Sequence, residues 1–142
     1  MRKGENAMRI LVIDGQGGRI GRALVEELRR RGFDGCITAV GTNSIATAAM
    51  LKAGADEGAT GENPVIVGAR RADVILGPMG IIAANSLLGE ITPAMALAVS
   101  ESEAYKVLVP VNRCRIRVAG LQEMSLGDYV AAAAALAMQP EE

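Results

Sequence analysis

Histidine and tryptophan are absent from this chain of 142 residues, and phenylalanine occurs once, at Phe33. Without histidine there is no imidazole base, and zinc sites of the usual Cys/His spacing are excluded. Cysteine is scarce as well. Cys36 and Cys114 stand far apart with no Cys-x-x-Cys pair, and a reducing cytoplasm fits. Aromatic residues for base stacking are nearly missing, and no basic stripe runs along any stretch. A nucleic-acid partner is therefore not expected. Long apolar runs are lacking too. The most apolar region, Val74–Leu88, is broken by Gly77, Pro78, Gly80 and Asn85, so no membrane span is expected. Met1–Ala7 is polar and carries a glycine, unlike a signal peptide, and a cytoplasmic location is expected.

Half of the residues are hydrophobic and 22% are charged, with a formal net charge of −1. A core can be built, but only from Ala, Val, Ile, Leu and Met. So apolar a chain is expected to hide surface in a homo-oligomer. The length fits one domain over 8–142, with 1–7 as a flexible extension. The largest basic run, Arg29–Arg31, sits four residues after Glu26 and Glu27 and reads as a solvated helix face.

Strand and helix signals alternate. Arg9–Ile13 is a short branched run, the pattern of a strand buried on both faces. Arg19–Arg31 carries Ile20, Ala23, Leu24 and Leu28 on one helical face and ends at Gly32. Cys36–Val40 is a second buried strand. Thr42 or Asn43 can cap a helix over Ser44–Ala53. Ala55–Gly61 has room for a minor strand. Glu62–Arg71 suits helix or strand, and a helix is favoured because Asp73–Leu76 is itself a strand. A helix is expected from Gly80 to about Leu88, and another from Thr92-Pro93 to about Ser100. Tyr105–Val111 is a strand, and Arg115–Ala119 is expected as an antiparallel edge strand. Ser125 with Asp128 forms a capping box for a last helix to Met138.

The strongest chemical signal is Asp14-Gly15-Gln16-Gly17-Gly18-Arg19-Ile20-Gly21, between the first strand and the first helix. Gly15 suits a tight turn, Gly17 and Gly18 let backbone approach a phosphate, and Gly21 lets helix lie on strand. The helix N-terminus adds N–H groups and the positive end of its dipole. The spacing is GxGxxxG, with Ile20 at the third glycine of GxGxxG. It resembles the loop of some NADPH-using reductases, which read glycine-glycine-arginine-methionine-glycine here. It is not a Walker loop, since no GK[ST] follows. No acid stands at the end of the second strand, which reads Gly41-Thr42-Asn43-Ser44, so NADP or a mononucleotide is easier to accommodate than NAD. Asp14 can serve as acid/base, as a magnesium ligand, or simply as an acceptor for loop N–H groups.

The expected architecture is a three-layer, Rossmann-like doubly wound α/β fold with a mostly parallel sheet of five to six strands. In that fold Asp14, Thr42, Gly80 and Asn112 lie on the rim at the carboxyl ends of the strands, with Thr60-Gly61-Glu62-Asn63 expected there too; Thr42 and Asn43 help hold the ligand, and Asn85 and Asn112 face it. Cys114, between Arg113 and Arg115, is a candidate reactive thiol; alternatively the two arginines grip a phosphate or carboxylate, and a half-buried cysteine in a turn with solvated arginines is the plainer reading. Cys36, inside a strand, is core.

From Met8 onward the chain resembles a small bacterial family designated domain of unknown function thirty-eight forty-two. The resemblance rests on Ile-Asp-Gly-Gln-Gly-Gly at 13–18, Gly-Thr-Asn at 41–43 and Ala-Thr-Ala-Ala-Met-Leu-Lys-Ala-Gly-Ala at 46–55. It continues with Gly-Ala-Thr-Gly-Glu-Asn at 58–63, Gly-Glu-Ile-Thr-Pro at 89–93 and Asn-Arg-Cys at 112–114. Arg19 departs from the glycine often found there. The resemblance implies the fold and a bacterial cytoplasmic setting, and no activity. Function is expected to be binding of a nucleotide or dinucleotide at Gly15–Gly21. The alternatives are a small enzyme acting on a phosphorylated metabolite through Asp14, and an oligomeric metabolite sensor without turnover.

Overall fold

The computed structural model describes residues 7–111 and 115–141. The apolar runs become strands β1 (Arg9–Asp14), β2 (Cys36–Gly41), β4 (Val74–Pro78) and β5 (Tyr105–Val109), and the exposed stretch Glu57–Thr60 forms the short strand β3. They form one sheet in the order β3-β2-β1-β4-β5, and every pairing is parallel. The helices are α1 (Arg19–Arg30), α2 (Ser44–Ala53), α3 (Glu62–Arg71), α4 (Pro93–Glu101) and α5 (Leu126–Met138). This is the expected doubly wound α/β class, with the ambiguous 62–71 segment helical.

β1 shows why the sheet needs helices on both sides. Ile10 and Val12 enter the core that holds Leu24 and Leu28 of α1, Met50 of α2 and Ala134 of α5. Leu11 and Ile13 enter the opposite core, with Val65 of α3 and Met95 and Val99 of α4. Each buried Leu or Ile contributes about 1.5–3 kcal/mol. In α5 Tyr129 and Val130 are buried in the first turns and Ala133, Ala134 and Ala137 beyond them, where small side chains bring the helix close to its neighbours.

Helix starts follow the cap signals. Asn43 Oδ1 accepts from the N–H of Ala46 at 2.9 Å, Thr92 Oγ1 from Met95 at 3.1 Å, and Ser125 Oγ from Asp128 at 3.1 Å. Buried Thr47 ties α2 to the sheet: its Oγ1 accepts from the N–H of Gly41 at 3.1 Å and lies 2.7 Å from Thr60 Oγ1.

Three expectations are corrected. Residues 115–119 form no strand. Arg115 sits at φ 66°, the segment is exposed, and the described sheet stops at β5. The expected helix from Gly80 to Leu88 is a 3-10 turn over Met79–Ile82 followed by tight turns. Asn85, Leu87 and Leu88 adopt left-handed backbone there, at φ 68°, 55° and 56°. Ser86 Oγ donates to the carbonyl of Gly80, and Ile81, Leu87 and Ile91 are buried, so packing outweighs helical propensity. On α1, Arg30 pairs with Glu27 at 2.5 Å instead of Glu26, which lies 3.9 Å from Arg22. The run is also not wholly solvated. Arg29 binds Asp56 at 2.7 Å and the carbonyls of Phe33 and Gly54 at 2.9 and 3.0 Å.

Candidate functional site

Strand order reverses between β1 and β4, which opens a crevice at their carboxyl ends. β1 delivers Asp14 there, buried, and the chain turns through Gly15–Gly18 into α1. The turn is closed by the N–H of Gly18 donating to the carbonyl of Gly15 at 2.9 Å.

Asp14 clamps this turn. Its Oδ1 accepts from the N–H of Gly15 at 2.8 Å and its Oδ2 from the N–H of Gly21 at 2.6 Å. Burial pushes its carboxyl above the ordinary range; the N–H groups of Gly21, Gly15 and Ile20 pull the other way, and nearby Glu90 adds to the rise.

The four glycines of the loop differ in what they face. A methyl group on Gly15 would lie 2.5 Å from Glu90 Oε1 and 2.6 Å from Thr42 Oγ1. Gly18 caps α1 at φ 74°, and a methyl there would lie 2.7 Å from the Cα of Ala46. One on Gly21 would meet Met50 Sδ at 2.5 Å and Asp14 Cβ at 2.9 Å. At Gly17 a methyl would meet nothing within 4 Å among the described residues. Packing and backbone conformation therefore account for Gly15, Gly18 and Gly21, but not for Gly17.

Above the loop is a cavity of about 280 Å³, lined by residues 14–20 with Leu87, Val111 and Leu126. Gln16, Gly17 and exposed Arg19 form its polar side. Ile20 lines it and is otherwise buried. Gly21 lies behind it, against α2.

On the β2 side of the loop stands a residue that motif reading missed. Glu90 reaches back from the turn before α4. Its Oε1 accepts from the N–H of Gln16 at 2.6 Å and from Thr42 Oγ1 at 2.8 Å. Its Oε2 accepts from Asn43 Nδ2 at 3.3 Å, and the same amide donates to the carbonyl of Gln16 at 2.9 Å. Partial burial pushes the Glu90 carboxyl up, but these three donors together hold it below the ordinary range. The signal available in the sequence was indirect: an acid absent from the end of β2, and one present in Gly89-Glu90-Ile91.

Thr42 and Asn43 thus join the glycine loop through Glu90. Gly80 is buried within the 3-10 turn, and Asn85 lies exposed in the turn that follows; neither lines the cavity, and nor do Thr42, Asn43 and Glu90. In the second loop a methyl group on Gly77 would lie 2.4 Å from the carbonyl oxygen of Ile13, so that glycine serves sheet packing. Cys36 is buried. Asn112 and Cys114 lie outside the described residues. Among the described residues no group of three or more Cys, Asp and Glu side chains is placed to hold a metal ion, and no helix is long and apolar enough to cross a membrane.

No curated protein matches the chain. Among solved structures it is similar to a dodecameric FMN-dependent Ubix-like decarboxylase from Escherichia coli O157:H7. The identity is 16% and the TM-score 0.45, over 94% of this chain and 93% of that one. The model of the family described as domain of unknown function (DUF3842) matches residues 9–141, and the chain belongs to that family.

Proposed function

We propose that the chain binds a nucleotide or dinucleotide in the β1–β4 crevice, with phosphate against the loop from Gly15 to Gly21. The observation that carries this reading is Gly17. It lines the cavity, and among the described residues neither a neighbour nor its backbone conformation calls for glycine there. A phosphate held by backbone does call for it, because only a bare Cα lets the N–H groups come close. Arg19, exposed at the first position of α1, places a cation beside the same cavity. In this reading Asp14 holds the loop in shape; its two oxygens are engaged by the Gly15 and Gly21 N–H groups.

A thermal-shift panel with NAD, NADP, ATP, GTP, FMN and sugar phosphates, each with and without magnesium, tests the reading. A shift produced by one nucleotide class and lost in Gly17→Val supports it. A panel without any shift, or a shift that Gly17→Val leaves intact, counts against it.

A further inference from the structure

We propose that Glu90, on the β2 side of the glycine loop and outside the lining of the cavity, reads the ribose of the bound nucleotide and selects a free 2′-hydroxyl over a 2′-phosphate. The inference rests on the nucleotide reading above and concerns which nucleotide is taken.

Dinucleotide-binding sheets hold the ribose hydroxyls with an acid at the carboxyl end of the second strand. Here β2 ends in Gly41, and Thr42 and Asn43 follow, neither of them acidic. The structure supplies the acid from elsewhere. The Glu90 carboxylate lies 2.8 Å from Thr42 Oγ1 and 2.6 Å from the N–H of Gln16, at the junction of β2 and the glycine loop. Its closeness to Gly15 leaves no room there for a side chain.

The carboxylate is held in place from behind as well. The N–H of Glu90 donates to the carbonyl of Leu87 at 3.1 Å, and that of Asn85 to Ile91 at 2.7 Å. Fully buried Ile91 anchors the turn. A residue fixed in this way loses little entropy when it binds.

Its two oxygens are unequally engaged. Oε1 already accepts two hydrogen bonds, whereas Oε2 has the longer 3.3 Å bond from Asn43. A carboxylate oxygen takes more than one donor. A ribose hydroxyl can therefore donate to Oε2. A 2′-phosphate brings negative charge to a carboxylate and has no proton to give. Arg19 stands by the cavity beyond the loop. The position of Glu90 thus reverses the preference that the end of β2 suggests when taken alone.

The test is calorimetric titration of the full chain and of Glu90→Gln with NAD and NADP, and with 5′-AMP and 2′-deoxy-5′-AMP. The wild type is expected to favour NAD and 5′-AMP over their counterparts by about tenfold or more. Glu90→Gln is expected to lose most of both preferences, through weaker NAD and tighter NADP. Equal wild-type affinity for NAD and NADP overturns the inference, and those titrations stand even where the variant fails to fold. Tightening of all four probes in Glu90→Gln also overturns it, because the carboxylate would then be an obstruction. Binding with ratios unchanged by the substitution overturns the inference alone. Absence of binding by every probe overturns the nucleotide reading, and the inference with it.

Discussion

Two carboxylates flank Gly15, and their surroundings push them in opposite directions. The raised pKa of Asp14 means that the folded chain holds its proton more tightly than the unfolded chain does. Its contribution is full below the ordinary value of 3.8 and is lost as pH rises through the raised one. Glu90 is the reverse case. Its contribution is present above the ordinary value of 4.5 and is lost as pH falls through the lowered one. Urea unfolding across the acid range is expected to show both slopes. Asp14→Ala should reduce the loss toward higher pH, and Glu90→Gln should reduce the loss toward lower pH, part of which stays with Glu27, held low by Arg30 and Arg31. Asp14→Ala also leaves the N–H groups of Gly15 and Gly21 unpaired, an expected cost of about 2–4 kcal/mol. At this scale Asp14 and the glycines were legible because strand, loop and helix follow one another directly. Glu90 was not, since its partner Thr42 is 48 residues away and only the topology brings them together.

The loop and the first turn of α1 behave as one element, and neighbouring glycines within it have opposite jobs. Gly18→Ala would put a methyl against the backbone of Ala46 on α2, at a left-handed φ. The expected cost is about 1–3 kcal/mol. Gly17→Val meets no described residue and is expected to change stability by no more than about 0.5 kcal/mol, while abolishing the nucleotide shift. Thermal melts of the two variants, with and without nucleotide, make the comparison. Most elements could be read from local patterns, because the buried strands are branched runs and the caps at Asn43, Thr92 and Ser125 use their own side chains. Residues 80–88 escaped that reading. A helix is expected there, yet the turn buries Ile81, Leu87 and Ile91 and leaves Leu88 96% exposed. Such a choice depends on the rest of the core.

For the whole molecule, ligand binding and folding share one equilibrium. A nucleotide present at about a hundred times its dissociation constant is expected to add about 2.7 kcal/mol, a rise of several degrees in Tm. Apolar side chains left outside, among them Ile45 on α2, Leu97 on α4 and Leu136 on α5, are 68%, 59% and 56% exposed. Self-association is expected from them, and a monomer in sedimentation at high concentration would refute it.

The central place of β1 has a consequence for synthesis. β1 is flanked by β2 and β4, and Asp73 Oδ2, at the start of β4, accepts from the N–H of Arg9 at 2.8 Å. A nascent chain on the ribosome can pair β1 with β2 and β3 early, but β1 gains its second neighbour only after residue 78 has been made. Until then one edge of Ile10-Leu11-Val12-Ile13 has no strand beside it. A product truncated before residue 74 would carry that apolar edge permanently, as a template for pairing with other chains.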